Sequence, residues 1–145
     1  MTQATGQGLN EASGSQSDLQ QILKQADTDF DQSQQELYRP STDVVLYSAC
    51  FYARRALHQY LYFCYRKFGG QLESGKTLHD LTIDQMAEYC GKYDKRIANI
   101  DFKAMHCRKV DVLDDEDIFY CNDVNTVSSC KNLSEQMREL VHEIA

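Results

Sequence analysis

The stretch Val44-Val45-Leu46-Tyr47-Ser48-Ala49-Cys50-Phe51-Tyr52-Ala53 decides the reading of the fold. It is apolar nearly all round, and a helix without a wide polar face belongs at the centre of its bundle. Ser41, Thr42 and Asp43 cap it after Pro40, and Gly69-Gly70 stops it beyond Phe68, since glycine accepts the left-handed geometry that ends helices. At 1.5 Å per residue the rod would be about 38 Å long, enough for the spine of a domain.

Amphipathic segments flank the rod. Upstream, Ser17 with Gln20 forms a capping-box pair, and Leu19, Ile22, Leu23, Ala26, Phe30 and Leu37 then make one helical stripe that ends before Pro40. Downstream, Thr77-Leu78-His79-Asp80-Leu81 precedes a second cap, Thr82 with Gln85, and a helix carrying Ile83, Met86, Ala87 and Cys90 to about Gly91. Residues 93–105 contain Ile97, Ile100 and Phe102 in a less regular helical pattern. Residues 110–122 are acidic and read as a loop. The last helix begins near Asn122 or Asp123, with Val124, Val127, Cys130, Leu133, Met137, Leu140, Val141 and Ile144 at steps of three or four.

Period-two alternation and Asn-Gly hairpin signals do not recur, and the chain has one proline and 7 glycines. The expectation is an all-α protein, an up-and-down bundle of four to five helices spanning residues 17–145. Residues 1–16, rich in Gly, Ser, Thr and Gln, offer too little apolar surface to offset ordering and read as a disordered tail.

Composition narrows the function. The 145 residues suit one domain, and the net charge of −7 disfavours nucleic acid, whose backbone rewards a basic footprint, without excluding a local basic cleft. No run approaches the roughly 18 apolar residues that span a bilayer, so no membrane role is expected. Met1-Thr2-Gln3-Ala4-Thr5-Gly6-Gln7-Gly8 has no basic and then apolar leader, so the expected location is the cytoplasm. The six cysteines then read as reduced, structural thiols. His106-Cys107 with Cys121 or Cys130 could hold zinc, but compact zinc sites bring ligands in close pairs, and no metal is expected. Gly-rich phosphate loops, Ser-His-Asp sets and the carboxylate pair of two-metal chemistry are missing from the sequence; no cofactor is expected.

The candidate binding residues lie on the rod. Arg54, Arg55, His58 and Tyr62 could line a groove for a phosphate or carboxylate, with arginine supplying a two-pronged donor fork and tyrosine a contact surface of small entropic cost. The alternative counter-ions are the carboxylates of the first helix, Asp27, Asp29, Asp31 and Glu36, and charge pairing between helices is the favoured reading. Some anion must meet these guanidinium groups, because an unsatisfied buried charge is costly. His79 is a second candidate, either facing ligand or bracing a helix start. Residues 92–109 carry Lys92, Lys95, Arg96, Lys103, Arg108 and Lys109 against Asp94 and Asp101. They read as partners of the acidic loop or, alternatively, as an anion-binding rim.

The phrase Ala49-Cys50-Phe51-Tyr52-Ala53-Arg54-Arg55-Ala56-Leu57-His58 resembles the second-helix signature of the HEPN family. Thr77-Leu78-His79-Asp80-Leu81 is similar to the family's lead-in to its third helix. Cys107-Arg108 followed by Phe119-Tyr120-Cys121 is similar to the region before its last helix. The resemblance spans roughly residues 18–145. It implies a helical bundle that forms homodimers, with a nucleotide ligand or a separately encoded minimal nucleotidyltransferase as partner, in some members within toxin–antitoxin or defence systems. The family's ribonucleases carry Arg, four to six residues, then His. Here three and two residues separate Arg54 and Arg55 from His58, nine separate Arg96 from His106, and three separate Arg138 from His142. The motif is absent, so no catalytic residue is assigned. The expected function is a non-catalytic binding module; the alternative is a divergent ribonuclease or toxin using His106 with Arg96 or Arg108.

Overall fold

A computed structural model describes residues 3–38, 46–102 and 124–145, with side chains for 18–38, 48–102, 125 and 127–145. Among the described residues, five helices follow one another: α1 (Gln3–Leu37), α2 (Leu46–Lys67), α3 (Ile83–Gly91), α4 (Lys95–Ala98) and α5 (Val124–Ile144), with a 3-10 turn at Leu78–Asp80. Among the described residues there is no strand. The protein is an all-α bundle.

α2 packs against α1, α3 and α5, and every residue from 56 to 64 is buried. That run includes His58 and Gln59 among apolar side chains, as befits a helix enclosed on all sides. Asp27 meets Tyr60, Asp29 meets Arg55 and Gln59, and Ser33 meets Ala49; the numbers rise in one helix as they fall in the other, so α1 and α2 are antiparallel. Val127 joins Ala49 and Cys50 at one end of the bundle, while His142 reaches Asp27, beside Tyr60, at the other. α5 therefore runs parallel to α2. Its stripe is Val127, Cys130, Leu133, Met137 and Val141, all buried.

Local signals set most boundaries. α2 stops at a paired cap in which the Gly69 N–H donates to the Arg66 carbonyl at 3.1 Å and the Gly70 N–H to the Tyr65 carbonyl at 2.8 Å, with Gly69 at φ 98°, a conformation costly for any residue with a Cβ. Reciprocal capping boxes link Thr77 to Asp80 and Thr82 to Gln85. Gly91 lets α4 fold back on α3, since a Cβ there would lie 3.1 Å from that of Ala98.

α1 differs from the sequence expectation at its start. It begins at Gln3, and Ser17 lies inside it. Once a helix exists, each added residue gains a hydrogen bond without a new nucleation cost. The caps expected at residues 41–43 and the acidic loop at 110–122 lie outside the described residues, as do His106, Cys107 and Arg108.

Candidate functional site

The seam between α1 and α2 is polar, partly buried and built around two carboxylates. Asp29 is 1% exposed. It accepts from Arg55 Nε at 2.8 Å and Nη2 at 3.1 Å, from Gln59 Nε2 at 2.7 Å and from Gln25 Nε2 at 3.1 Å. Four donors match the four acceptor sites of a carboxylate. Arg55 also lies over the Phe51 ring at 5.2 Å. Half a turn away, Asp27 accepts from Tyr60 Oη at 2.5 Å and contacts His142 Nε2 at 2.9 Å and Arg138 Nε at 3.5 Å. Burial, reinforced by the bond to Asp27, drives the Tyr60 phenol far above its ordinary range, so it stays protonated and donates.

Of the residues singled out from sequence, Arg55 lies in this seam. Arg55, about a third exposed, has Asp29 as its counter-ion. Arg54, His58 and Tyr62 are 5%, 1% and 3% exposed. The Tyr62 hydroxyl accepts from Arg66 Nη1 at 2.9 Å. His58 turns away from α1 toward Leu81, whose carbonyl oxygen lies 2.8 Å from Nε2. A carbonyl can only accept, which places the imidazole proton on Nε2; Nδ1 is buried without a hydrogen-bond partner among the described residues. Burial holds the His58 pKa down at about 4, with the charges of His79 and Arg54 acting in the same direction. His58 is neutral at pH 7. His79 is exposed in the 3-10 turn, whose cap is made by Thr77 and Asp80. Arg55, His58 and Tyr62 thus have three separate partners; Arg54, His58 and Tyr62 are buried, and Arg55 is half-buried.

A different surface forms where α2, α3 and α4 end. Tyr93 is 58% exposed and stacks on Phe68 at 5.3 Å with 20° between the rings. Tyr89 touches Tyr93 at 5.2 Å and Tyr65 at 4.7 Å, and its hydroxyl donates to the Phe68 carbonyl at 3.2 Å. Lys67, Lys92 and Lys95, one or two residues along the chain from this stack, are exposed. A shallow groove of about 340 Å³ runs between α3 and α4, floored by Ala87, Gly91, Ile97, Ala98, Ile100 and Phe102 and rimmed by Glu88 and Lys92. A second concavity of about 230 Å³ lies between Tyr65, Gln71, Lys76, Asp80 and Gln85. Neither is lined by Arg54, Arg55, His58, Tyr62 or His79. Sequence reasoning placed Tyr93 in an irregular segment; its one available signal was the run of lysines around an aromatic residue.

Among the described residues, no group of three or more His, Cys, Asp or Glu could hold a metal, and no helix is long and apolar enough to cross a membrane. Cys50, Cys64, Cys90 and Cys130 are buried free thiols; burial pushes Cys64 up to about 12, which keeps it protonated and unreactive. Comparison with protein-family models, with curated proteins and with solved structures finds no match to this chain.

Proposed function

We propose that this protein is a non-catalytic binding module, a HEPN-type helical bundle that recognises a partner protein, such as a minimal nucleotidyltransferase encoded beside it. The observation that carries the reading is Tyr93, a large aromatic side chain held 58% exposed by its stack on Phe68. Rigid, half-exposed tyrosines give protein interfaces contact area at little entropic cost. The arginine face that would serve a nucleotide-like anion is engaged within the fold, because Arg55 is neutralised by Asp29.

Co-expression with the products of neighbouring reading frames, followed by size-exclusion chromatography, tests this. The expected result is a stoichiometric complex that Tyr93→Ser weakens while the circular dichroism spectrum is unchanged. Failure to form any protein complex, together with saturable binding of ATP, GTP or short RNA or with RNA cleavage by the purified chain, would overturn it in favour of a nucleotide-binding or ribonuclease role.

A further inference from the structure

We propose that the concavity between the end of α2 and the start of α3 is a binding site for a free α-amino acid with an apolar side chain. Tyr93 does not line it, and the inference does not depend on the partner-protein reading.

The chain that follows α2 builds the hollow. Gly70 is buried and lies so close to the Tyr65 ring that a Cβ there would come within 2.6 Å of it. The Tyr65 hydroxyl donates to the Gln71 carbonyl at 3.1 Å. The chain then turns back, with Gly75 at φ 81° and the Lys76 N–H donating to the Glu73 carbonyl at 2.9 Å. Leu72, Glu73 and Lys76 thereby line one hollow with Asp80, Leu81 and Gln85. Its volume of about 230 Å³ falls below the roughly 300 Å³ at which pockets for drug-sized molecules begin, so it suits an amino acid and is small for a nucleotide.

The polar groups left over narrow the ligand. Asp80 is used by the fold, its Oδ2 accepting from the Thr77 N–H at 2.8 Å. Gln85 Oε1 accepts from the Thr82 N–H at 2.9 Å, which leaves its amide nitrogen as a donor. Glu73 and Lys76 remain. Among the described residues neither side chain has a hydrogen bond or an ion pair, although both line the same hollow. One carboxylate and one ammonium beside the half-buried Leu72 and Leu81 match a ligand that carries the opposite pair and an apolar body. An apolar α-amino acid has that set: its ammonium meets Glu73, its carboxylate meets Lys76, and its side chain covers the two leucines, taking apolar surface out of water. A phosphate would meet one cation and two carboxylates. An amine alone would leave Lys76 unmatched, and an uncharged apolar molecule would desolvate both charges without pairing either.

The test is titration of the full ¹⁵N-labelled chain with L-leucine, followed in the amide spectrum. Three comparison probes each lack one feature: 3-methylbutylamine has no carboxylate, 4-methylpentanoate no ammonium, and glycine no side chain. Saturable shifts at the amides around the hollow are expected with L-leucine. Loss of either charge from the ligand should weaken binding about threefold, as expected of exposed ion pairs, and loss of the side chain about tenfold. Lys76→Gln should weaken L-leucine about threefold and leave 3-methylbutylamine unchanged. Glu73→Gln should weaken L-leucine by the same factor and leave 4-methylpentanoate unchanged. Both positions are exposed, so both variants keep the fold, and the crossed pattern assigns each charge of the ligand to its partner. No saturable shift with L-leucine, equal binding of L-leucine and the three comparison probes, or indifference of L-leucine to either variant overturns the proposal. A complex with a neighbouring gene product in a chain that does not bind L-leucine overturns this site alone; L-leucine binding in a chain that forms no complex overturns the partner reading alone.

Discussion

The α1–α2 seam and the α3–α4 end use similar residues for opposite purposes. In the seam, arginine, tyrosine and glutamine close on the carboxylates of Asp27 and Asp29, so polar groups serve the fold. At the far end, tyrosine stacks on phenylalanine in the open and lysines stand without ion pairs among the described residues. Charge enclosed and paired makes stability dependent on it; charge exposed beside an aromatic makes a surface. Residue type alone did not tell the two apart, and burial does.

The sharpest way to break the contrast is Asp29→Ala. It leaves Arg55 and Gln59 without their acceptor in a buried seam, and stability should fall by about 3 kcal/mol in denaturant unfolding, the lower end of the cost of an orphaned buried charge because Arg55 is partly exposed. A loss below about 1 kcal/mol would show that water replaces the carboxylate and that the seam is not interior in the sense argued.

Acid tests the same interior through His58. The unfolded chain takes up its proton near pH 6.5, whereas the folded chain resists until about pH 4. Between those values the unfolded state binds more protons, so stability is complete above the unfolded value and is lost as pH falls toward the folded one. Between pH 7 and pH 5 this amounts to about 2 kcal/mol. Comparing the wild-type slope with that of His58→Gln isolates it; parallel curves would reject the assignment of a neutral, enclosed imidazole.

Two smaller effects complete the series. Thr82→Ala removes one half of a capping box and should cost about 1 kcal/mol, with lost protection in hydrogen exchange confined to the first turn of α3. Tyr93→Ser should change the unfolding free energy by less than about 0.5 kcal/mol, as expected at an exposed position. A large loss there would mean that the aromatic stack holds α3 and α4 in place.

Local chemistry was the legible part. Thr82 with Gln85, the Gly69-Gly70 stop and the three–four stripe from Val127 to Val141 depend on neighbours within a turn or two, and the sequence displays them directly. Ser17 with Gln20 shows the limit of such signals, since a box of the same form sits inside α1 when the chain before it is already helical. That α1 carboxylates meet α2 arginines was legible from charge. The choice of Asp29 among four acids was not, because the packing register of two helices sets it. Nor could sequence reveal the His58–Leu81 bond or the Tyr93–Phe68 stack, which join elements more than 20 residues apart.

Asp27 has a consequence for how the chain is made. Two of its partners, Arg138 and His142, arrive more than a hundred residues after it. During synthesis α1 and α2 can meet as a hairpin of local contacts, but the side of that hairpin that receives α5 stays bare until α5 itself has been made. Late closure of this kind slows folding. It also makes the nascent hairpin, with its apolar flank uncovered, the species most in need of a chaperone.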